Sequence, residues 1–234
     1  MTDTVATSAA DVLLPGNPAD LHLTVTSEIG PAVEGGGRPA DHRLLVRYPR
    51  NGEDWRPGAS WSERREHVAL ISIRCVPMAG GTMASELVAE LQRDDNLDHE
   101  LHTAVLSTVL STRGGRRSFS PAVRSVLGKG PRSALGDLVL LDGFSVATGW
   151  ANAGLDVLLL GELISRTVTA PAVLATAPLF LTGDQERRIR QAALNAAGFR
   201  PLAGHTMVAG TAGLPTLSGP AGQTLTERYR SPGR

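Results

Sequence analysis

The sequence predicts a mixed α/β domain, a sheet with helices on its faces. Three observations carry this. Strand-like apolar segments open the chain, a stretch with four-residue Leu and Val spacing follows, and the last third alternates strand, helix, strand, helix, strand. At 234 residues the chain fits one large domain or two small ones. The organisation read from it is a disordered segment 1–17, one domain 18–210 with a helical insertion 82–133, and a loose tail 211–234.

The first 17 residues are small and polar, too poor in apolar groups to offset the entropy of ordering. LHLTVT alternates, with Leu21, Leu23 and Val25 on one face, as a half-buried strand does. IGPAVEGGGRPAD is a Gly/Pro loop, and HRLLVRYP is a second strand. After a polar connection with Trp55 and Trp61, HVALISIRCVPM is apolar enough for the centre of a sheet. From Met83 to Ser111 the pairs Leu87/Leu91, Leu97/Leu101 and Val105/Val109 repeat every four residues, the signature of helices, interrupted at RDDNLD. RGGRRSFSPAVRSVLGKGPRS is either a mobile loop or a short helix between loops.

LGDLVLLDGFSV reads as a strand and ANAGLDVLLLGELISRTV as a helix with Leu155, Leu158, Leu159 and Leu163 on one stripe. APAVLATAPLF, between prolines, is another strand. DQERRIRQAALNAAGF is a helix with Asp184 as N-cap and Gly198 as C-terminal stop, and RPLAGHTMVAG is a last strand. No internal repeat is visible.

Composition narrows the function. The chain is 41% hydrophobic and 20% charged, with 23 basic and 23 acidic residues, as in an ordinary soluble protein. A general nucleic-acid binder would show a basic excess, so no nucleic-acid partner is expected. Lys129 is the sole lysine, and a high-GC genome accounts for the arginine bias. No apolar run approaches the roughly 20 residues of a membrane span, and the start MTDTVATSAAD lacks the pattern of a secretory signal. No membrane association and a cytoplasmic location are expected. Cys75, alone within VALISIRCV, reads as a small buried hydrophobe, so neither an internal disulfide nor a Cys-rich zinc site is available.

The stretch VATGWANAGLDVLL, 146–159, joins a strand to a helix through a Gly-containing turn, the setting in which helix N–H groups bind phosphate. LVLLDGFSV, then ANAGLD, then LLLGELI, and the later LNAAGF running into RPL, resemble the GNAT superfamily of N-acetyltransferases over residues 136–209. The order of elements, with a helical segment before LVLLD, is similar to that of GNAT-like proteins common in high-GC bacteria. The resemblance implies a mixed, largely antiparallel central sheet flanked by helices. It also implies acetyl-CoA or another acyl-CoA as cofactor, and a small-molecule or protein amine as acceptor. A homodimer is compatible with it.

By this resemblance Phe144, Ser145 and Val146 lie along the pantetheine arm, and Ala151, Asn152, Ala153, Gly154, Leu155 and Asp156 wrap the pyrophosphate. Asp142 stands where the family often carries an acidic general base, its alternative being a strand-end carboxylate that is exposed or paired with an arginine. The pattern is incomplete. Ala151 replaces the usual Gln or Arg, Asp156 replaces a Gly or Ala, and Leu194 replaces the tyrosine that protonates the leaving thiolate. Asp156 also fits a plainer role, a carboxylate favouring a helix start by about 0.3–1 kcal/mol.

Other clusters read mainly as surface. His99 and His102, beside Asp94, Asp95 and Asp98, share a helix face but lack a third ligand at clear spacing, so no metal is assigned. His205 takes no role. Arg113, Arg116 and Arg117 form a basic loop that holds the 3′-phosphate of CoA, meets an acidic partner, or is simply solvated. Trp150 covers the cofactor cleft or plugs the splayed strands. Three functions follow: an acyl-CoA-dependent N-acyltransferase, a degenerate relative serving as a partner-binding or regulatory module, and a non-CoA small-molecule binder.

Overall fold

Alternating apolar residues in β1 (His22–Ile29), β2 (Ala40–Pro49) and β3 (Arg65–Val76) give each strand one face for a core. In the computed structural model the described residues are 14–30, 39–49, 65–78, 99–111, 118–127, 136–151, 154–176, 191–192, 194–203 and 206–229. With β4 (Leu138–Val146), β5 (Val173–Thr176), β6 (Arg200–Pro201) and β7 (Met207–Gly210) they form a seven-stranded sheet in the order β1-β2-β3-β4-β5-β7-β6. Neighbouring strands run antiparallel except β4 and β5, which are parallel. A parallel pair needs a crossover. Here α3 (Leu155–Thr167) supplies it. The mixed, mostly antiparallel α/β sheet therefore stands as expected.

Two cores lie on opposite faces. On one, Leu44, Val46, Ile71, Ile73, Val139, Leu141 and Leu174 meet Leu155, Leu159 and Leu163 of α3. On the other, α1 (His99–Val109) and α2 (Pro121–Val126) bring Val105, Leu106, Val109 and Val123 onto Leu138, Leu140, Val173, Ala175 and Val208. The SFSPAVRSV segment is thus a short helix. Ser120 caps it, its Oγ accepting the Val123 N–H at 3.4 Å, and Pro121 takes the first position, where no N–H is required.

Three expectations change. The segment after Thr211 is not a loose tail: α4 (Pro220–Arg228) folds there and buries Leu225 against the α3 core. Leu14–Asn17 is ordered too. Leu14 is buried, its N–H donates to the Tyr229 hydroxyl at 3.2 Å, and Asn17 caps a 3-10 turn at Pro18–Asp20. RPLAGHTMVAG forms two short antiparallel strands, β6 and β7. Gly198, at φ 94°, ends the preceding helical turn. Its N–H donates to Asn195 O and that of Phe199 to Leu194 O, both at 3.0 Å, the pairing of a left-handed helix stop. Residues 1–13, Asp184, the whole 82–98 stretch and the Arg113–Arg117 loop lie outside the described residues.

Glu162 fastens the C-terminal segment. Its carboxylate, buried on α3, accepts from Ser218 N at 3.1 Å, Ser218 Oγ at 2.9 Å and Arg166 at 2.7 and 2.9 Å. Burial alone would raise its pKa; the hydrogen bonds from Arg166 and Ser218, with the Arg166 charge, outweigh burial and hold it below the usual value. A depressed folded pKa adds stability that is complete above the unfolded value, about 4.3, and is lost as pH falls through the folded one. Glu162→Gln is therefore expected to melt lower at pH 7, with the gap to wild type closing in the acid range below about pH 4.3. Melting temperature followed against pH checks this; a gap that stays constant to the acid limit refutes it.

Candidate functional site: the β4–α3 turn

The site begins where the described pairing of β4 with β5 ends. Parallel pairing covers Leu138–Leu140 against Val173–Ala175 and then stops. Thr176 still pairs with Met207 on β7, while β4 runs on to Val146 paired with β3. Beyond Leu140 the β5-facing edge of β4 thus has no strand partner among the described residues. Every such backbone amide must find water, a side chain or a ligand.

A bulge follows. Ile73 opposes Leu141 and Ser72 opposes Gly143, leaving Asp142 as the extra residue. An extra residue shifts the alternation by one. Leu141 and Phe144, three apart, accordingly both pack in the α3-side core, and so does Val146. Their side chains point into that core, and Ser145, opposite Leu70, is exposed on the other face. Only the backbone of Phe144, Ser145 and Val146 is placed to line a ligand beside β4. Asp142 is half-buried at the bulge.

The turn follows. Ala147 N–H donates to Val68 O at 2.8 Å, and the N–H groups of Trp150 and Ala151 donate to Ala147 O at 2.8 and 3.0 Å. Trp150 is 2% exposed. Its Nε1–H donates to Glu66 Oε1 at 2.9 Å, and its ring centroid lies 4.9 Å from that of Tyr48. These partners sit at the ends of β3 and β2. Trp150 therefore ties the turn to the β2–β3 side and plugs the core there.

Asn152 and Ala153 lie outside the described residues. Gly154 precedes α3 at φ 73°, a left-handed conformation that favours glycine, and a Cβ there would have no atom within 4 Å. No side chain caps the helix from this position. Leu155 is fully buried, so it can offer only its backbone. Asp156, in the first turn and 4% exposed, accepts the Val157 N–H on its Oδ1 at 2.8 Å, and the first helical bond joins Leu158 N–H to Gly154 O at 3.2 Å. A carboxylate of the chain's own thus takes up part of the positive end of α3. Ala151 is half-buried, and Leu194 is buried in the α3-side core.

Sequence reasoning placed the turn correctly, and the family resemblance implied a strand that splays from its neighbour after a bulge; the position of the bulge at Asp142 and its effect on side-chain direction were not read. The signal was present: Leu141 and Phe144 share a face that strict alternation denies them.

Two other candidates resolve. Burial, then the nearby carboxylates of Asp137 and Asp41, push the Cys75 thiol up to about 12. The thiolate is the reactive form. Native protein at pH 8 is therefore expected to leave Cys75 unmodified by a chromogenic disulfide reagent until denaturant is added; labelling at the rate of a free thiol overturns this. Among the described residues no group of three or more His, Cys, Asp or Glu could hold a metal; the side chains of His99 and His102, and all of His205, lie outside them.

Comparison with known protein families, characterised proteins and solved structures gives no match.

Proposed function

We propose that the chain is a GNAT-like, acyl-CoA-dependent N-acyltransferase acting on an amine. One observation carries the reading: β4 runs on beyond its described parallel pairing with β5, through a bulge, and leads by way of a left-handed glycine into a helix start. Such an edge suits an extended ligand with amides, which adds to a strand as a peptide does. Pantetheine has two amides and ends in a diphosphate, for which a helix N-terminus is the complementary group. The acceptor nitrogen attacks the thioester carbonyl carbon, the C–S bond breaks, and CoA leaves as its thiolate. Asp142, at the bulge, takes the proton from the amine, directly or through a water. With Leu194 buried where the family carries its tyrosine, solvent protonates the thiolate.

The Asp156 carboxylate favours a second reading. It places negative charge where the diphosphate must lie, which supports a relative that has given up acyl-CoA and binds a partner.

Thermal unfolding with acetyl-CoA separates the two. Ligand at about 100 times its dissociation constant adds roughly 2.7 kcal/mol. That moves the melting temperature by about 5–11 °C, at about 2–4 °C per kcal/mol for a chain of this length. Asp156→Gly is expected to melt lower without ligand, since a helix-start carboxylate is lost, and to bind acetyl-CoA about tenfold more tightly. A saturable shift in wild type, larger in the variant, supports the transferase. No shift in either protein removes the acyl-CoA reading and leaves the partner-binding one.

A further inference from the structure

The two ends of the described chain are joined to each other and, through the N-terminal one, to the β4–α3 turn. The stretch from Leu214 crosses α3 at Gly161, where a Cβ would strike the Pro215 carbonyl. α4 follows, and the hydroxyl of Tyr229 just after it accepts the Leu14 N–H at 3.2 Å. Leu14 is itself buried in the α3-side core. The next two residues reach the turn. The Pro15 ring lies so close to Gly149 that a Cβ there would come within 2.9 Å of it. Gly16 lies against the Tyr48 ring, whose centroid is 4.9 Å from that of Trp150.

The C-terminal strap buries little. Within α4 only Gly222 and Leu225 are buried, and Leu214, Leu217 and Tyr229 are half-buried. Its polar fixings therefore matter. One is the buried Glu162 carboxylate, which accepts the N–H and the hydroxyl of Ser218, and the other is the Tyr229 hydroxyl. Ser218 is exposed, so the first fixing sits at the surface of the strap. A segment with few buried apolar groups opens at less than the cost of global unfolding.

We infer that the two chain ends form one clasp on the β4–α3 turn, so that lifting the C-terminal strap off α3 also loosens residues 147–151. The contacts set the order. Ser218 leaves Glu162, Tyr229 leaves Leu14, and Pro15 and Gly16 lose the anchor that keeps them against Gly149 and Tyr48. The strap is the two-state element, and the N-terminal stretch carries its state to the turn. The clasp holds the turn whatever the turn binds, so the inference is independent of the acyl-CoA reading.

Hydrogen exchange of the full chain, read on peptides covering residues 14–21, 147–151 and 211–229, tests it. Ser218→Asp removes a donor from Glu162 and sets a second carboxylate beside it, at an exposed position. Exchange is expected to rise about tenfold in 211–229 and by a similar factor in 14–21 and 147–151, while β3 stays as slow as in wild type. Tyr229→Phe keeps the ring and removes the acceptor for Leu14 N–H. It should raise exchange in 14–21 and 147–151 about fivefold, the worth of one ordinary hydrogen bond. Faster exchange confined to 211–229 in Ser218→Asp, or no change there at all, overturns the clasp. Wild-type rates at 147–151 in Tyr229→Phe overturn it as well, and this second variant decides if Ser218→Asp opens β3 too. No acetyl-CoA enters these measurements, so the clasp and the acyl-CoA reading fail separately.

Discussion

Trp150→Ala is expected to cost about 3–5 kcal/mol, the range for truncating a large buried aromatic. Since a domain's whole stability is about 5–15 kcal/mol, this is a large share. Two terms combine. The indole is 2% exposed and packs against Tyr48, so its removal leaves a void. Glu66 also loses the Nε1–H donor it meets at 2.9 Å. Trp150→Phe separates these terms, keeping most of the packing and losing the hydrogen bond, for about 1–3 kcal/mol. Urea unfolding measures both. A cost below about 1 kcal/mol for the alanine variant would contradict the anchoring role. The same variant should lose any acetyl-CoA response, because the turn that presents the α3 N-terminus hangs from this residue.

Gly161→Ala tests the C-terminal segment through the sign of its effect. In an ordinary helix the change stabilises, by about 1 kcal/mol. Here a Cβ on Gly161 would run into the carbonyl oxygen of Pro215, a backbone atom that cannot swing aside. Overpacking of this kind costs about 1–3 kcal/mol. The variant is therefore expected to be less stable than wild type and to be cut faster by a nonspecific protease between Thr211 and Gly219. A stabilised variant would show that the 214–217 stretch does not lie across α3.

That contact also explains what the sequence concealed. LLLGELI was legible as helix, and its stripe of Leu155, Leu158, Leu159 and Leu163 as a core face. Yet every residue from Leu155 to Ile164 is buried. A helix apolar nearly all round is covered on all sides, and Gly161 with Glu162 marked where the cover sits. The covering helix PAGQTLTER gave little sign of itself: Leu225 is its one large buried side chain, and residues so polar read as a tail. β1 was legible by its alternation, and β3 and β4 by apolar runs long enough for the centre of a sheet. The two-residue β6 is too short to have either. In the site, the helix start at Asp156 was readable from the Gly–Leu–Asp order, whereas the position of the bulge that the resemblance implied was not. One inserted residue is visible only once a partner strand fixes the count, and Asp142 and Ser145 took their places from Ser72 and Leu70 on β3.

The bond between Leu14 N–H and the Tyr229 hydroxyl joins residues 215 apart in sequence. Leu14 and Tyr229 both pack on the α3-side core, and Pro15 lies against Gly149 in the turn. Closing so long a loop is entropically costly before any contact rewards it. During synthesis, α3 would emerge with its outer side bare and wait for about fifty more residues, several seconds at about 5–20 residues per second. For that interval the nascent chain presents a leucine-rich helix to its surroundings. Chaperone engagement, or loss to aggregation, would therefore be decided by how soon the Pro220–Arg228 helix arrives to cover it.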